Sequence, residues 1–492
     1  MKNLITISSL KMVCVALIVT LSIVGCGESD PENKGNHLPD VNIIQNDTTI
    51  RVGATINLSA VILDVDGDEL TYKWTFSEKP TGSKASLTNS DTLVKETSFT
   101  ADVEGKYIVN LTAKDALDAV GSDSVTIVAT NSCTSSVEVD KDITTDTVFD
   151  EDKCYNITRG ILNISNNALL TIKPGAIVIF EENGGINVSD EGALNAVGTA
   201  KKPILFTGKQ KINPGYWRSI AFRGSDDPRN EIDYAIVEYA GAGYGYGSLH
   251  LVGNYGTDNR LKLSNTTFKH SASHGFCLEK RSKMDKFENI TSTKNTLSAG
   301  RVDMSILDKL DSESNFTGNL GDDYITVEYG DVFTDATWKS LSVPIYFKRA
   351  LTIHDEALLT LSAGSHLVFD NGIKVTTGPL GALKAVGTAK EPILFTGKQK
   401  TAGFWEGITI GSDNTNNIME YVTVEYASNA LYLNTHFSNS TTARASVKNS
   451  TFRHNSNYGI YIYYDSVANY NQDIDSVNTF ENNTNGNINR RN

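Results

Sequence analysis

The sequence predicts an all-β protein, a β-sandwich followed by a parallel β-solenoid made of two tandem modules. Three observations carry that prediction. The stretch "ALNAVGTAKKPILFTGKQK" from Ala193 returns as "ALKAVGTAKEPILFTGKQK" from Ala382, so a block of the chain has been copied. Short runs of alternating apolar residues recur roughly every 20 residues through both copies, too short for amphipathic helices and right for strands. The composition is rich in Thr, Val, Ile, Tyr and Asn, with only 10 prolines in 492 residues, and no long helical periodicity interrupts it.

The first segment reads as an export leader rather than as part of the fold. Residues 1–25 hold Lys2 and Lys11, then an uncharged run from Met12 to Gly25 that ends on small residues before Cys26. That run is well short of the ~20 apolar residues needed to cross a bilayer as a helix. Residues 26–40, "CGESDPENKGNHLPD", are polar and contain Gly, Pro and Asn, the composition of a flexible tether. The formal net charge is −14, and losing Lys2 and Lys11 with the leader leaves about −16, a balance that repels nucleic acid.

Residues 41–130 supply the sandwich. "TINLSAVILDVDG", "LTYKWTFSEKP", "TSFTADVEGKYIVNLTAKDA" and "GSDSVTIVAT" alternate along their length and are separated by Gly, Asp, Asn and Pro. Trp74 is placed to fill the space between two sheets, and Gly105 to turn the chain before Tyr107. Asp64, Asp66 and Asp68 have the alternating spacing of a calcium loop, with Gly67 for a sharp turn, but the terminal Glu of an EF-hand is absent. Asx turns joining two strands are the competing reading. Calcium is the one cofactor the sequence raises.

Residues 131–315 and 316–492 are the two solenoid modules. "ALLTIKPGAIVIF" (168–180) matches "ALLTLSAGSHLVF" (357–369), "YAIVEYA" (234–240) matches "YVTVEYA" (421–427), and "LSNTTFKHSASHGF" (263–276) matches "VKNSTFRHNSNYGI" (447–460). Pairs such as Ile177 with Ile179 and Ile220 with Phe222 can point into one column, and Asn265 and Asn449 recur where an amide can cap a turn. Two further tandem sandwiches are the alternative architecture. Cys133 and Cys154 flank the start of the solenoid and can close a loop of about 20 residues, worth ~3 kcal/mol in an oxidising compartment. Cys277 lies in an apolar strand pattern and reads as a buried small hydrophobe.

Three resemblances extend this reading. Ile23-Val24-Gly25-Cys26 resembles the lipobox of bacterial lipoproteins, which implies lipidation of Cys26 and a membrane as partner. In that family an Asp after the cysteine commonly retains the protein at the inner membrane, and Gly27 stands there, which implies the outer membrane or cell surface. "DVDGDELTYKW" and "EGKYIVNLTAKD" resemble the PKD domain, an immunoglobulin-like β-sandwich that serves as a spacer or as a carbohydrate or protein contact module. The "GxLxAVGTAxxPIxFTG" phrases resemble the right-handed parallel β-helix superfamily, including surface lipoproteins and polysaccharide lyases and hydrolases.

Chemistry is harder to find than fold. Asp226 and Asp227 lie in a Gly-flanked loop with Asp413 as counterpart, and such carboxylates are usually solvated. Ser273-His274-Gly275 resembles the His-Gly element of polygalacturonases, but the second copy has Asn457-Tyr458-Gly459. Glu238 and Glu425 occupy the same "VEY" phrase and read as outward residues of a duplicated strand. No Cys/His metal cluster, phosphate-binding Gly loop or Gly-x-Ser-x-Gly elbow is visible, so no catalytic residue is assigned. Binding is better supported. Tyr239, Tyr244, Tyr246 and Tyr255 lie among glycines, and Tyr461 and Tyr463 lie in "NYGIYIYYDSVANYN". Tyrosines on a solenoid face can stack on sugar rings and hydrogen-bond through their hydroxyls. The expectation is a lipid-anchored surface protein binding a polysaccharide or another surface protein without catalysis; the alternative is a β-helix polysaccharide lyase or glycoside hydrolase.

Overall fold

A computed structural model describes residues 36–90, 94–243, 247–253, 258–354, 356–434 and 442–492. The leader, Cys26, Tyr244, Tyr246 and Tyr255 therefore lie outside the described residues.

The first folded unit is a sandwich of a three-stranded antiparallel sheet and a four-stranded sheet. The strand Thr55–Leu63 shows why: its even-numbered residues are buried and the others face outward. Trp74 and Tyr107 are fully buried between the sheets. The Tyr107 hydroxyl donates to the Val103 carbonyl at 2.8 Å and accepts from the Val103 N–H at 3.0 Å, which pins the corner before its strand. Gly105, at φ +134°, is required there because a Cβ would come within 2.9 Å of Pro80.

From Ser136 onward the chain winds as a solenoid in which every strand pair is parallel. This excludes the two further tandem sandwiches. In the first copy each turn contributes one strand to a seven-stranded sheet, one to a thirteen-stranded sheet and one to a six-stranded sheet. Inward residues from Ile143 to Ile474 form one unbroken apolar core. Aromatic rings stack up its axis, including Phe180 on Trp217 at 4.1 Å and Phe369 on Trp405 at 4.4 Å. Asn265 and Asn449 take left-handed conformations at the corners, and each donates its amide to an acid one turn back, Asp233 at 2.8 Å and Glu420 at 3.2 Å.

The two copies are not stacked in phase. In the first copy Ile177–Phe180, Ile204–Gly208, Ala235–Glu238 and Thr267–Lys269 belong to the seven-stranded sheet. Their counterparts His366–Phe369, Ile393–Gly397, Val422–Glu425 and Thr451–Arg453 belong to the thirteen-stranded sheet. The offset arises after Gly300–Asp303. A 3-10 turn, Met304–Lys309, capped by Asp303, takes the place of a strand, and Ile325–Tyr329 then stacks directly on Gly300–Asp303. Equivalent residues of the two copies therefore look out from different faces.

The sandwich does not stand off as a spacer but rests against the side of the first turns. Arg51, 5 % exposed, donates to the carbonyls of Ser132 at 2.6 Å and Gly175 at 2.5 Å and to Asp152 at 3.2 Å. A disulfide joins Cys133 to Cys154, so Ser132 and Asp152 both sit beside the staple. A buried guanidinium with three acceptors is costly to disrupt, since its partners are left without donors. Arg51→Ala is expected to weaken this docking by roughly 2 kcal/mol, so limited proteolysis in the 129–135 connection should speed up by about tenfold or more. An unchanged cleavage rate would show that other contacts hold the two units together.

Candidate functional site

The sequence phrase shared by both copies builds a structural clip. Glu238 points outward from its strand, as expected, but is buried, 7 % exposed, and accepts from Thr207 Oγ1 at 2.9 Å with Lys211 at 3.1 Å and Lys269 at 3.2 Å. Glu425 repeats this with Thr396 at 2.9 Å, Lys400 at 3.3 Å and Arg453 at 2.8 Å. Burial alone would raise both carboxyl pKa values, yet both are lowered, Glu238 by its two lysines and Glu425 by Thr396, Arg453 and Lys400. An indole N–H caps the same residue's carbonyl in each copy, Trp217 at 2.8 Å and Trp405 at 2.9 Å. Tyr239, partly exposed, stacks on His270 with centroids 5.0 Å apart, as Tyr426 does on His454 at 5.5 Å.

The tyrosines near the C-terminal end make an open platform. Tyr461 and Tyr463 lie on the outer face of the strand Tyr458–Tyr463, and Tyr432 sits directly opposite Tyr461 on the neighbouring strand. Tyr432 packs edge-on against Tyr461 at 5.3 Å, Tyr458 lies 5.9 Å from Tyr461, and Tyr464 lies 4.2 Å from Tyr463. All five rings are partly exposed. Arg491 lies over Tyr463 at 5.6 Å, and Asn489 continues the column beyond Tyr461. In the other direction the column runs through Thr409, Thr376 and Thr352, giving hydroxyls at rungs ~4.8 Å apart. Tyr432 was not singled out from the sequence because it stands alone between two leucines; its strand register is what places it.

In the first copy the same rungs carry a different cluster. His250, Cys277 and Glu279 occupy the positions of Tyr432, Tyr461 and Tyr463, and their ligand atoms lie within 4.8 Å of one another. Arg301 fills the position a cation would take, donating to Cys277 Sγ at 2.9 Å and to Glu279 at 3.2 Å. Burial pushes the Cys277 thiol up to about 11, so it is not a nucleophile at neutral pH. Glu279 is held down to about 2, first by its hydrogen bond from His250. Burial lowers the His250 pKa as well, towards its neutral form, so it donates as a neutral imidazole.

The acids and histidine considered for catalysis are not brought together. Asp226 is bound by Lys283 at 2.7 Å and Arg260 at 2.9 Å, and Asp227 by Arg229 at 2.7 Å; these partners lower both carboxyl pKa values. His274 is buried and bonded to Ser298 Oγ at 2.8 Å, and burial, with Arg301 adding to it, lowers its pKa to about 4. In the sandwich, Asp64 Oδ1 accepts the N–H groups of Asp66, Gly67 and Asp68, an Asx-type turn. Asp64 Oδ2 is buried without a hydrogen-bond partner, and the three carboxylates can approach one ion, which fits a calcium ligand set.

Comparison with known proteins adds two family matches. Residues 45–129 match a family described as a PKD domain, and residues 141–274 match the Pectate-lyase like beta helix domain. Among solved structures, the PKD domain of the KIAA 1837 protein is 19 % identical over 20 % of this chain and 91 % of its own, with a TM-score of 0.16. The PKD domain of human KIAA0319 is 15 % identical over 21 % of this chain and 91 % of its own, with a TM-score of 0.17. The fibronectin(III)-like modules of Clostridium thermocellum CbhA are 19 % identical over 19 % of this chain and 46 % of their own, with a TM-score of 0.15. No curated protein matches the chain.

The clips make an acid-stability prediction. Because the folded pKa of each clip carboxylate lies below its ordinary value of 4.5, the stability it adds is complete above that pH and is lost as the pH falls through the folded value. Glu238→Gln and Glu425→Gln should each cost on the order of 2 kcal/mol at pH 7. Below pH 4.5 the gap to the unsubstituted chain should narrow, measured by urea unfolding across pH. A gap that stays constant with pH would mean the carboxylates' charge contributes nothing.

Proposed function

We propose that this is a lipid-anchored cell-surface protein of the outer membrane that binds carbohydrate without catalysis. The observation that supports it most is the platform of Tyr432, Tyr458, Tyr461, Tyr463 and Tyr464, partly exposed and flanked by Asn489 and Arg491 on the neighbouring strand. Aromatic faces offer stacking to sugar rings, while amide, guanidinium and hydroxyl groups beside them take up ring hydroxyls. A PKD-like sandwich and a parallel β-helix suit surface binding, and the leader with Cys26 supplies the attachment. Calcium at Asp64, Asp66 and Asp68 would stiffen the sandwich loop.

A second reading, a polysaccharide lyase or glycoside hydrolase, is favoured by the match of residues 141–274 to a pectate-lyase-like family. Against it, Asp226 and Asp227 are saturated by cations and His274 is neutral and buried. One screen separates the two: binding on a polysaccharide array together with release of unsaturated or reducing ends, with and without calcium. Binding without product is expected, and Tyr461→Ala or Tyr463→Ala should each weaken it by about 1 kcal/mol, some fivefold. Product formation would overturn the non-catalytic reading, and unchanged binding in both variants would remove the platform. The anchor is tested separately by metabolic labelling with an acyl chain, which Cys26→Ser should abolish along with membrane retention.

A further inference from the structure

The sandwich has an aliphatic tip at the end where the chain enters it. Leu38, Leu63, Val65 and Leu117 are 65, 62, 79 and 68 % exposed. Hydrogen bonds bring the segments that carry them together: the backbone N–H of His37 donates to Asp66 at 2.7 Å, Asn36 donates to Asp115 at 2.8 Å, and the Leu117 N–H donates to Asp115 at 2.9 Å. Leu63 lies opposite Asp40 in the strand register. Single exposed aliphatics are ordinary, but four carried by segments joined at one tip make that end of the sandwich apolar.

The chain outside the described residues says what covers it. Residues 1–35 lead directly into this tip and include the uncharged run Met12–Gly25 followed by Cys26. The ten residues from Cys26 to Asn36 can span at most about 35 Å when fully extended. A membrane holding Cys26 is therefore within reach of the tip. The opposite end of the sandwich is already engaged, because Ile50, beside Arg51, pairs with Ala129 at the far end of the hairpin from Lys114 and Val120.

We propose that this tip docks on the phospholipid surface, with Leu38, Leu63, Val65 and Leu117 entering the headgroup region. The proposal rests on the anchoring reading above. The same tip carries Asp64, Asp66, Asp68 and Asp115, so in calcium-free buffer, where these carboxylates are uncompensated, it selects zwitterionic over anionic headgroups.

The test uses the full chain with a bimane label at Val65→Cys and, as the control at the other end of the sandwich, at Val128→Cys. A chain without an engineered cysteine supplies the background, and Cys277 is buried. With phosphatidylcholine vesicles containing nitroxide lipid, the label at 65 is expected to lose at least half its emission while that at 128 keeps it. Phosphatidylglycerol should reduce this effect, and Leu38→Ser with Leu63→Ser and Leu117→Ser should reduce it at least fivefold. Equal quenching at the two positions overturns the proposal. So does shielding at 65 that grows with protein concentration in the absence of vesicles, which would assign the tip to a second copy of the chain. Acyl labelling at Cys26 reports on the anchor independently: quenching at 65 without acylation keeps the tip and discards the anchor, and acylation without quenching does the reverse.

Discussion

The structure depends on one constraint, the in-register parallel ladder, in which each strand lies ~4.8 Å above the same strand of the previous turn. A side chain that points inward meets the inward side chain of the next rung, so the core must be apolar at every turn, and from Ile143 to Ile474 it is. The same rule acts on the outer face. Glu238 has Lys269 as its rung neighbour and Glu425 has Arg453, so an outward carboxylate is buried by its neighbours and has to be neutralised by them. The buried Glu clips thus follow from stacking, completed by Lys211 and Lys400 from the loops beyond the neighbouring strands, and their presence in both copies has a structural explanation.

Duplication of a ladder would ordinarily extend each face with more of the same. Here the 3-10 turn at Met304–Lys309 shifts the second copy by one face, so the thirteen-stranded sheet is continuous through non-equivalent strands of the two copies. The offset frees equivalent rungs to diverge. His250, Cys277 and Glu279 in the first copy form a closed polar cluster tied to Arg301, while Tyr432, Tyr461 and Tyr463 in the second form an open aromatic one. Two unlike sets of side chains at the same positions of one repeat are not dictated by the ladder, and the aromatic set is the one left partly exposed.

Much of the fold was legible in the sequence because ladders and sandwiches write their periodicity into it. The alternation in Thr55–Leu63 and the repeated "AVGTA" and "PILFTG" phrases give strand, core and module directly. The candidate site was legible only in part. Tyr461 and Tyr463 are dense enough to notice, whereas Tyr432 is a single residue whose role comes from a neighbour about thirty positions away. Tyr239 lies apart from them on a corner of the first copy, at φ +61°, where its ring stacks on His270. The docking of the sandwich through Arg51 left no local signal, since two of its three acceptors are backbone carbonyls and all three lie on distant segments.

Rigidity gives these parts a joint meaning. Thirteen strands at ~4.8 Å make the long sheet about 60 Å from end to end, with the sandwich fixed beside the first turns of the solenoid and the tyrosines on its last turns. A freely jointed spacer would leave the direction of the tyrosines unrelated to that of the sandwich. With Arg51 buried against Gly175 and Ser132, the sandwich is joined to the first turns of the solenoid by hydrogen bonds as well as by the chain itself. Copying the module therefore adds reach without adding flexibility, because each new turn is held by a full set of ladder hydrogen bonds to the turn before it.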